Sequence, residues 1–296
     1  MKNGIIFENT DDLSEIEEDF DLGFTPCKDG SFSVTPFEAD GELLEFPSVF
    51  RGVSVTRIES YYEGIQGGSY VTRVVIPEGI RVIGYQGLAF LYSLTELHLP
   101  ESLLLLDNFA LDGCTALCGI DMPKGLKAIG QGAFYGCTRL ERVGLNEGLL
   151  AIGDEAFCLC EALREIEIPA TVDTVGVNPF VSCSSLFEIR VSGDNPHFTV
   201  EDGVLYTKNK EILISYPAAR EGECFRVPDG VREIGSKAFC EMKHLTEVYL
   251  PESVEILPKH AFFFCASLKK VTMPREMAYL HREAFFASDN LEIEKY

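Results

Sequence analysis

The 296-residue chain has no tryptophan and little positive charge: 25 Lys and Arg stand against 47 Asp and Glu, a formal net charge of −22. That deficit excludes nucleic acid and anionic lipid as expected partners, because neutralising phosphate takes clustered Lys and Arg. The acidic surface instead keeps an elongated molecule soluble, with steering of a basic partner as the alternative. No run of eighteen apolar residues occurs, so no membrane insertion is expected. Met1–Asp21 is acidic where a secretory leader would be basic and then apolar, so the expectation is a soluble, unexported chain.

Several chemistries are missing too. There is no G-x-x-x-x-G-K-[ST] phosphate loop, no G-x-S-x-G elbow and no papain- or caspase-type cysteine signature. Gly130-Gln131-Gly132 with Gly136 places the third glycine one residue too late for a dinucleotide fingerprint and lacks a surrounding βαβ unit. His98, His197, His244, His260 and His281 are scattered, with no H-E-x-x-H pair to place two ligands on one helical face. The acidic run Asp11–Asp21 lacks the spacing of a calcium loop and reads as a solvated cap or tail. Neither a catalytic centre, a cofactor nor a metal is expected.

What is present is periodicity. At 46% hydrophobic residues the chain has ample core material. Its apolar residues are spread evenly, which suits a core extended along one axis rather than a central ball. Self-alignment at a period of 23 gives unit starts at Val71, Leu94, Leu117, Leu140, Leu163 and Leu186, then at Gly222, Leu245, Leu268 and a stub at Leu291. One block of 36 residues between starts 186 and 222 interrupts an otherwise constant register.

Each unit opens with apolar residues two apart, as in Leu117, Ile120 and Met122 or Leu163, Ile166 and Ile168, which predicts a strand with one buried face. Proline ends that run at Pro77, Pro100, Pro123, Pro169, Pro228, Pro251 and Pro274, where a missing N–H terminates the ladder. A second apolar pair follows, such as Leu126 and Ile129. Glycine often succeeds it, at Gly84, Gly130, Gly153, Gly176 and Gly235, and suggests a corner with positive φ. Ala-Phe comes next, at Ala133-Phe134, Ala156-Phe157, Ala238-Phe239, Ala261-Phe262 and Ala284-Phe285, and predicts a short helical or 3-10 turn packing its Phe inward. Cys114, Cys137, Cys160 and Cys183 share one repeat position, expected to be a ladder of small buried hydrophobes, since Leu91, Met242 and Ser288 fill the same column. Stacked at about 4.8 Å per coil, nine or ten coils would give a rod on the order of 45 Å long.

The order Leu-x-x-Ile-x-Ile-Pro, Val-x-x-Ile-Gly, Ala-Phe-x-x-Cys, as in Leu117–Cys137 and Leu163–Cys183, resembles the BspA-like leucine-rich repeat, over about residues 50 to 296. The resemblance implies a right-handed repeat solenoid, with parallel strands on one face and short strands, turns or 3-10 and helical turns on the other. Residues 1–70 are then an acidic N-terminal segment, a capping hairpin and an irregular first coil, and 71–296 the solenoid proper. Around Tyr61–Tyr70 the Ala-Phe signature is lacking. The interruption, about 192–221, reads as a hairpin elaboration with strands Phe198–Val200, Val204–Tyr206 and Ile212–Tyr216, joined by turns at Asp202-Gly203 and Lys208-Asn209-Lys210. It could be local padding of one coil or a protrusion that touches a partner.

In such a solenoid the third and fifth residues of each unit line one continuous outward sheet. The candidate partner-binding face is therefore Arg142, Glu165, Glu167, Glu188, Arg190, Arg226, Glu247 and Tyr249, mixed in charge with an aromatic, as protein interfaces often are. The bland alternative is that these are solvated strand residues. The function expected is a non-catalytic protein-binding scaffold, and the resemblance implies an adhesion or host-interaction module at a cell surface, or a secreted one. A structural spacer or self-associating surface protein is the second reading, and an enzyme using Glu165 and Glu167 as acid and base the third. The charged stub Leu291–Tyr296 argues for a monomer.

Overall fold

The structure, a computed structural model, describes residues 17–19, 22–39, 41–60, 65–288 and 291–296. Most of the acidic N-terminal segment, and residues 61–64 of the irregular first coil, lie outside the described residues. The backbone of Glu17–Asp19 pairs antiparallel with Leu22–Pro26, which pairs with Phe32–Pro36. Phe32–Pro36 then runs parallel to Val53–Ile58, so a hairpin covers the edge where the stack begins. Phe24 and Phe50 stack there with ring centroids 3.8 Å apart.

From that cap the chain winds as a β-solenoid of about 11 turns with almost no helix, slightly longer than the repeat count suggests because the cap contributes a coil of its own. On the first side lie short strands such as Arg73–Val75, Glu96–His98, Glu165–Ile168 and Glu247–Tyr249, each alternating outward and buried residues. Proline turns the chain after them: the carbonyls of Pro100, Pro123 and Pro251 accept hydrogen bonds from the N–H groups of Leu103, Leu126 and Val254. On the second side Val82, Leu105, Ala128, Ala151 and Thr174 pair coil to coil, every partner 23 residues further on.

The third side differs from the expectation of a helical or 3-10 turn. In most coils two residues adopt left-handed φ, among them Phe109 (58°) and Gly113 (71°), Gly132 (56°) and Gly136 (68°), and Glu155 (54°) and Leu159 (61°). Alternate N–H groups then point along the stack instead of closing a helix. Phe109, Leu111 and Gly113 donate to the carbonyls of Gln131, Ala133 and Tyr135 of the next coil, at 2.9, 2.8 and 2.8 Å. Inter-coil bonding thus satisfies groups that a helix would satisfy locally, and it sustains a backbone that costs non-glycine residues about 1–2 kcal/mol each.

The corner glycines also depart from expectation. Gly84, Gly130, Gly153, Gly176 and Gly235 are not in the left-handed region. They are small because the preceding coil passes against them: a Cβ on Gly130 would lie 2.6 Å from the backbone N of Asn108, and one on Gly153 2.6 Å from the N of Gln131. Close approach of two backbones selects glycine at Gly130, Gly153, Gly176 and Gly235, whereas Gly84 lies against the Glu59 carboxylate.

Phenylalanine fills the interior of the third side. Phe134, Phe157 and Phe180 stack at 5.3 and 5.9 Å, and Phe239, Phe262 and Phe285 at 4.7 and 5.1 Å. The thiols of Cys114, Cys137, Cys160 and Cys183 are fully buried beside them. The core is nevertheless two clusters, which meet at the interruption of the repeat.

The interrupting segment forms Phe198–Glu201 and Val204–Thr207, antiparallel about Asp202-Gly203, whose φ values of 52° and 77° are those of a tight type I′ turn. Its third strand, Ile212–Ser215, rejoins the solenoid and pairs with Glu233–Ile234 on the second side. Tyr216 then takes a place against the Phe column, 5.2 Å from Phe239. Only the hairpin is therefore added; the rest rebuilds a coil. Asn195 pins its base, donating to the carbonyls of Pro169 and Val172 and accepting from the N–H groups of His197 and Phe198.

Candidate protein-binding face

Alternation along each first-side strand sets the face. Val143, Ile166, Ile189, Phe225 and Val248 point into the core, so their neighbours Arg142, Glu165, Glu167, Glu188, Arg190, Arg226, Glu247 and Tyr249 point outward. Parallel pairing places Glu165 beside Glu188 and Glu167 beside Arg190, and further on Cys224 beside Glu247 and Arg226 beside Tyr249.

The face is not one uninterrupted sheet. Glu188–Val191 pairs with Glu165–Ile168 on one side and with no strand on the other, while Cys224–Arg226 pairs only with Glu247–Tyr249. The inserted hairpin is lodged between them, with Arg220 Nε donating to the carbonyl of Asp202 at 2.7 Å. The structure thus brings Glu165, Glu167, Glu188 and Arg190 together, and separately Arg226, Glu247 and Tyr249. Arg142 joins neither group, because its guanidinium pairs back to Asp121.

In the first group one guanidinium serves three carboxylates. Arg190 Nη1 lies 2.9 Å from Glu165 Oε2 and 2.7 Å from Glu188 Oε2, and its Nε is 3.9 Å from Glu167 Oε2. The hydrogen bond from Arg190 holds the Glu165 carboxyl below the usual carboxylate range, so Glu165 stays ionised near neutrality and is poorly suited to donate a proton as a general acid. In the second group Arg226 stacks on Tyr249 at 4.9 Å, and Tyr249 lies parallel to Tyr296 at 5.5 Å. Both arrangements suit recognition by charge and ring surface.

Repeat spacing locates the face but misses a cavity of about 350 Å³ at the break, lined by Glu167, Glu188, Arg190, Gly193, Val200 and Gly203 among others. Its signal in the sequence is the break in register itself. Among the described residues no group of three His, Cys, Asp or Glu is arranged to hold a metal ion, and no helix is long and apolar enough to cross a membrane.

The family model of the BspA-type leucine-rich repeat region matches residues 65–187 and 221–294 in six copies, leaving out the inserted segment. The chain belongs to that family of repeat proteins. Among solved structures it is similar to a leucine-rich cell surface protein from Faecalibacterium prausnitzii A2-165, at 23% identity and a TM-score of 0.69, covering 96% of this chain and 95% of that one. It is also similar to the pneumococcal vaccine antigen PcpA, at 22% identity and a TM-score of 0.76, over 95% of this chain and 82% of that one. A leucine-rich repeat protein from Bacteroides ovatus gives 20% identity and a TM-score of 0.57, over 93% and 75%. No curated protein matches the chain.

Proposed function

We propose that the chain is a non-catalytic, monomeric protein-binding scaffold that reads its partner through the first-side strand face, and that it works at a cell surface or in secreted form as an adhesion or host-interaction module. One observation carries the binding part: the outward residues are held in fixed register by parallel pairing, with Arg226 stacked on Tyr249 and Arg190 clasped by carboxylates. Preordered Arg and Tyr side chains lose little entropy on binding, which is why they recur as interface anchors. The surface part is supported by the fold shared with a cell surface protein of F. prausnitzii and with PcpA.

The test is capture from host-surface and native-cell extracts by the wild type beside a variant carrying Glu167→Lys, Arg190→Glu and Tyr249→Ala. A protein retained by the wild type alone supports the face as the reading surface. Equal retention by both moves the contact off this face, and retention by neither favours a structural spacer.

A further inference from the structure

Resting on that reading, we propose that the cavity between Glu188–Val191 and the inserted hairpin is a slot for a cationic side chain, Arg or Lys, on an extended segment of the partner protein.

The slot lies where the inserted hairpin, in place of a first-side strand, follows Glu188–Val191. Where one first-side strand would pair with the next coil, Glu188–Val191 has no pairing strand, and the hairpin about Asp202-Gly203 stands off to form the opposite wall. Both walls offer apolar surface, from the half-buried Val191 on one side and Val200 on the other, while Glu167 and Glu188 line the slot beside them. An aliphatic stem ending in a cationic head matches that sequence of surfaces.

Charge decides the sign of the occupant. Glu165, Glu167 and Glu188 outnumber Arg190 three to one at this point, so the group carries a net negative charge even with Arg190 in place. Glu165 and Glu188 hydrogen-bond Arg190, but Glu167, at 3.9 Å, is beyond hydrogen-bonding distance and leaves its carboxylate to an incoming donor. The site already shows how it treats a guanidinium, in its own Arg190. An anionic or purely apolar ligand would meet uncompensated carboxylates.

Because an acidic protein attracts any polycation, the test must separate the slot from bulk charge. The probe is a fluorescein-labelled peptide of six Arg-Gly repeats, titrated by anisotropy at fixed ionic strength. Gly193→Phe fills the slot without changing charge; Gly193 is outside the left-handed region, and a Cβ there meets nothing within 4 Å. Glu167→Gln with Glu188→Gln removes two charges lining the slot, and Glu141→Gln with Glu161→Gln removes two exposed charges elsewhere.

Binding weakened about tenfold or more by the plug and by the lining pair, with the distant pair within about twofold of wild type and all melting curves unchanged, is the expected result. A plugged protein that binds like wild type, or a distant pair that weakens binding as much as the lining pair, overturns the slot. The scaffold reading is judged separately by the extract capture, so a peptide indifferent to the slot leaves it standing.

Discussion

The Sγ of Cys160 donates to the carbonyl oxygen of Phe134 at 3.3 Å, across 26 residues of sequence and one coil of the stack. Cys114, Cys137 and Cys265 make the same bond at 3.3 Å and Cys183 at 3.1 Å. The column thus asks for more than modest size: the thiol fills the space and caps a buried carbonyl. Cys160→Ala is expected to cost about 1–2 kcal/mol, mainly through lost contact, because the Phe134 carbonyl keeps the hydrogen bond it accepts from the Cys137 N–H at 3.2 Å. Denaturant unfolding of the variant checks this; no shift in midpoint would show that the bond contributes nothing.

Burial also pushes the Cys114 and Cys265 thiols up to about 12 and those of Cys137, Cys160 and Cys183 well above their ordinary value. Only Cys118 and Cys224 are exposed among the ten. Native protein treated with a thiol-specific chromogenic disulfide should therefore release two equivalents quickly and the remainder only on unfolding, because the thiolate is the reacting species. Rapid reaction of more than three thiols, allowing for half-buried Cys27, would contradict the packing of the column.

Phe157 lies between Phe134 and Phe180 and is wholly buried, so Phe157→Ala should destabilise the protein by about 3–5 kcal/mol. Phe157→Leu should cost much less, since it refills most of the volume. A thermal melt unchanged by the alanine variant would refute the column as the spine of the third side.

How much of this could be read beforehand divides along physical lines. Side-chain burial leaves a period in the sequence, so the coil register, the Phe and Cys columns and the outward positions of Glu167 and Arg226 were all legible. Backbone-to-backbone packing leaves only a small residue: Gly130 and Gly153 look the same whether the cause is positive φ or a neighbour 2.6 Å away. Left-handed φ at Phe109 and Leu159 left no trace, because inter-coil hydrogen bonds hold those residues irrespective of their preference. For the candidate face, the positions were visible but not the break, since one-dimensional spacing cannot say that Ile212–Ser215 rejoins the second side while the hairpin parts the first.

That distinction makes Gly153 informative. A glycine kept for positive φ would cost about 1 kcal/mol or so as alanine. At Gly153 the methyl would press on the backbone of Gln131 and Gly130, which cannot swing away without disturbing the second-side ladder. Gly153→Ala should cost about 1–3 kcal/mol, while Gly193→Ala, with open space around it, should leave the melting temperature unchanged. Equal, small effects at the two positions would count against close approach as the reason for glycine.

Asp112 stands where the next coils place Tyr135 and Cys158, in a column that otherwise favours bulk or apolar groups. Burial raises its carboxyl to about 6 from an ordinary 3.8. A raised folded-state value means that the folded protein holds a proton the unfolded chain has released between about pH 4 and 6. The resulting stability is present below pH 4 and is lost as pH rises through 6. At pH 7 the charged Asp112 is therefore a liability, of about 1 kcal/mol once its partial contact with solvent is allowed for. Asp112→Asn, which keeps the shape and removes the charge, should raise the melting temperature by about 2 °C at pH 7. The advantage should shrink towards pH 4, where wild-type Asp112 is itself neutral in the fold. A benefit that stayed constant from pH 4 to pH 8 would mean that the asparagine acts through hydrogen bonding and that desolvation of the carboxylate is not the cause.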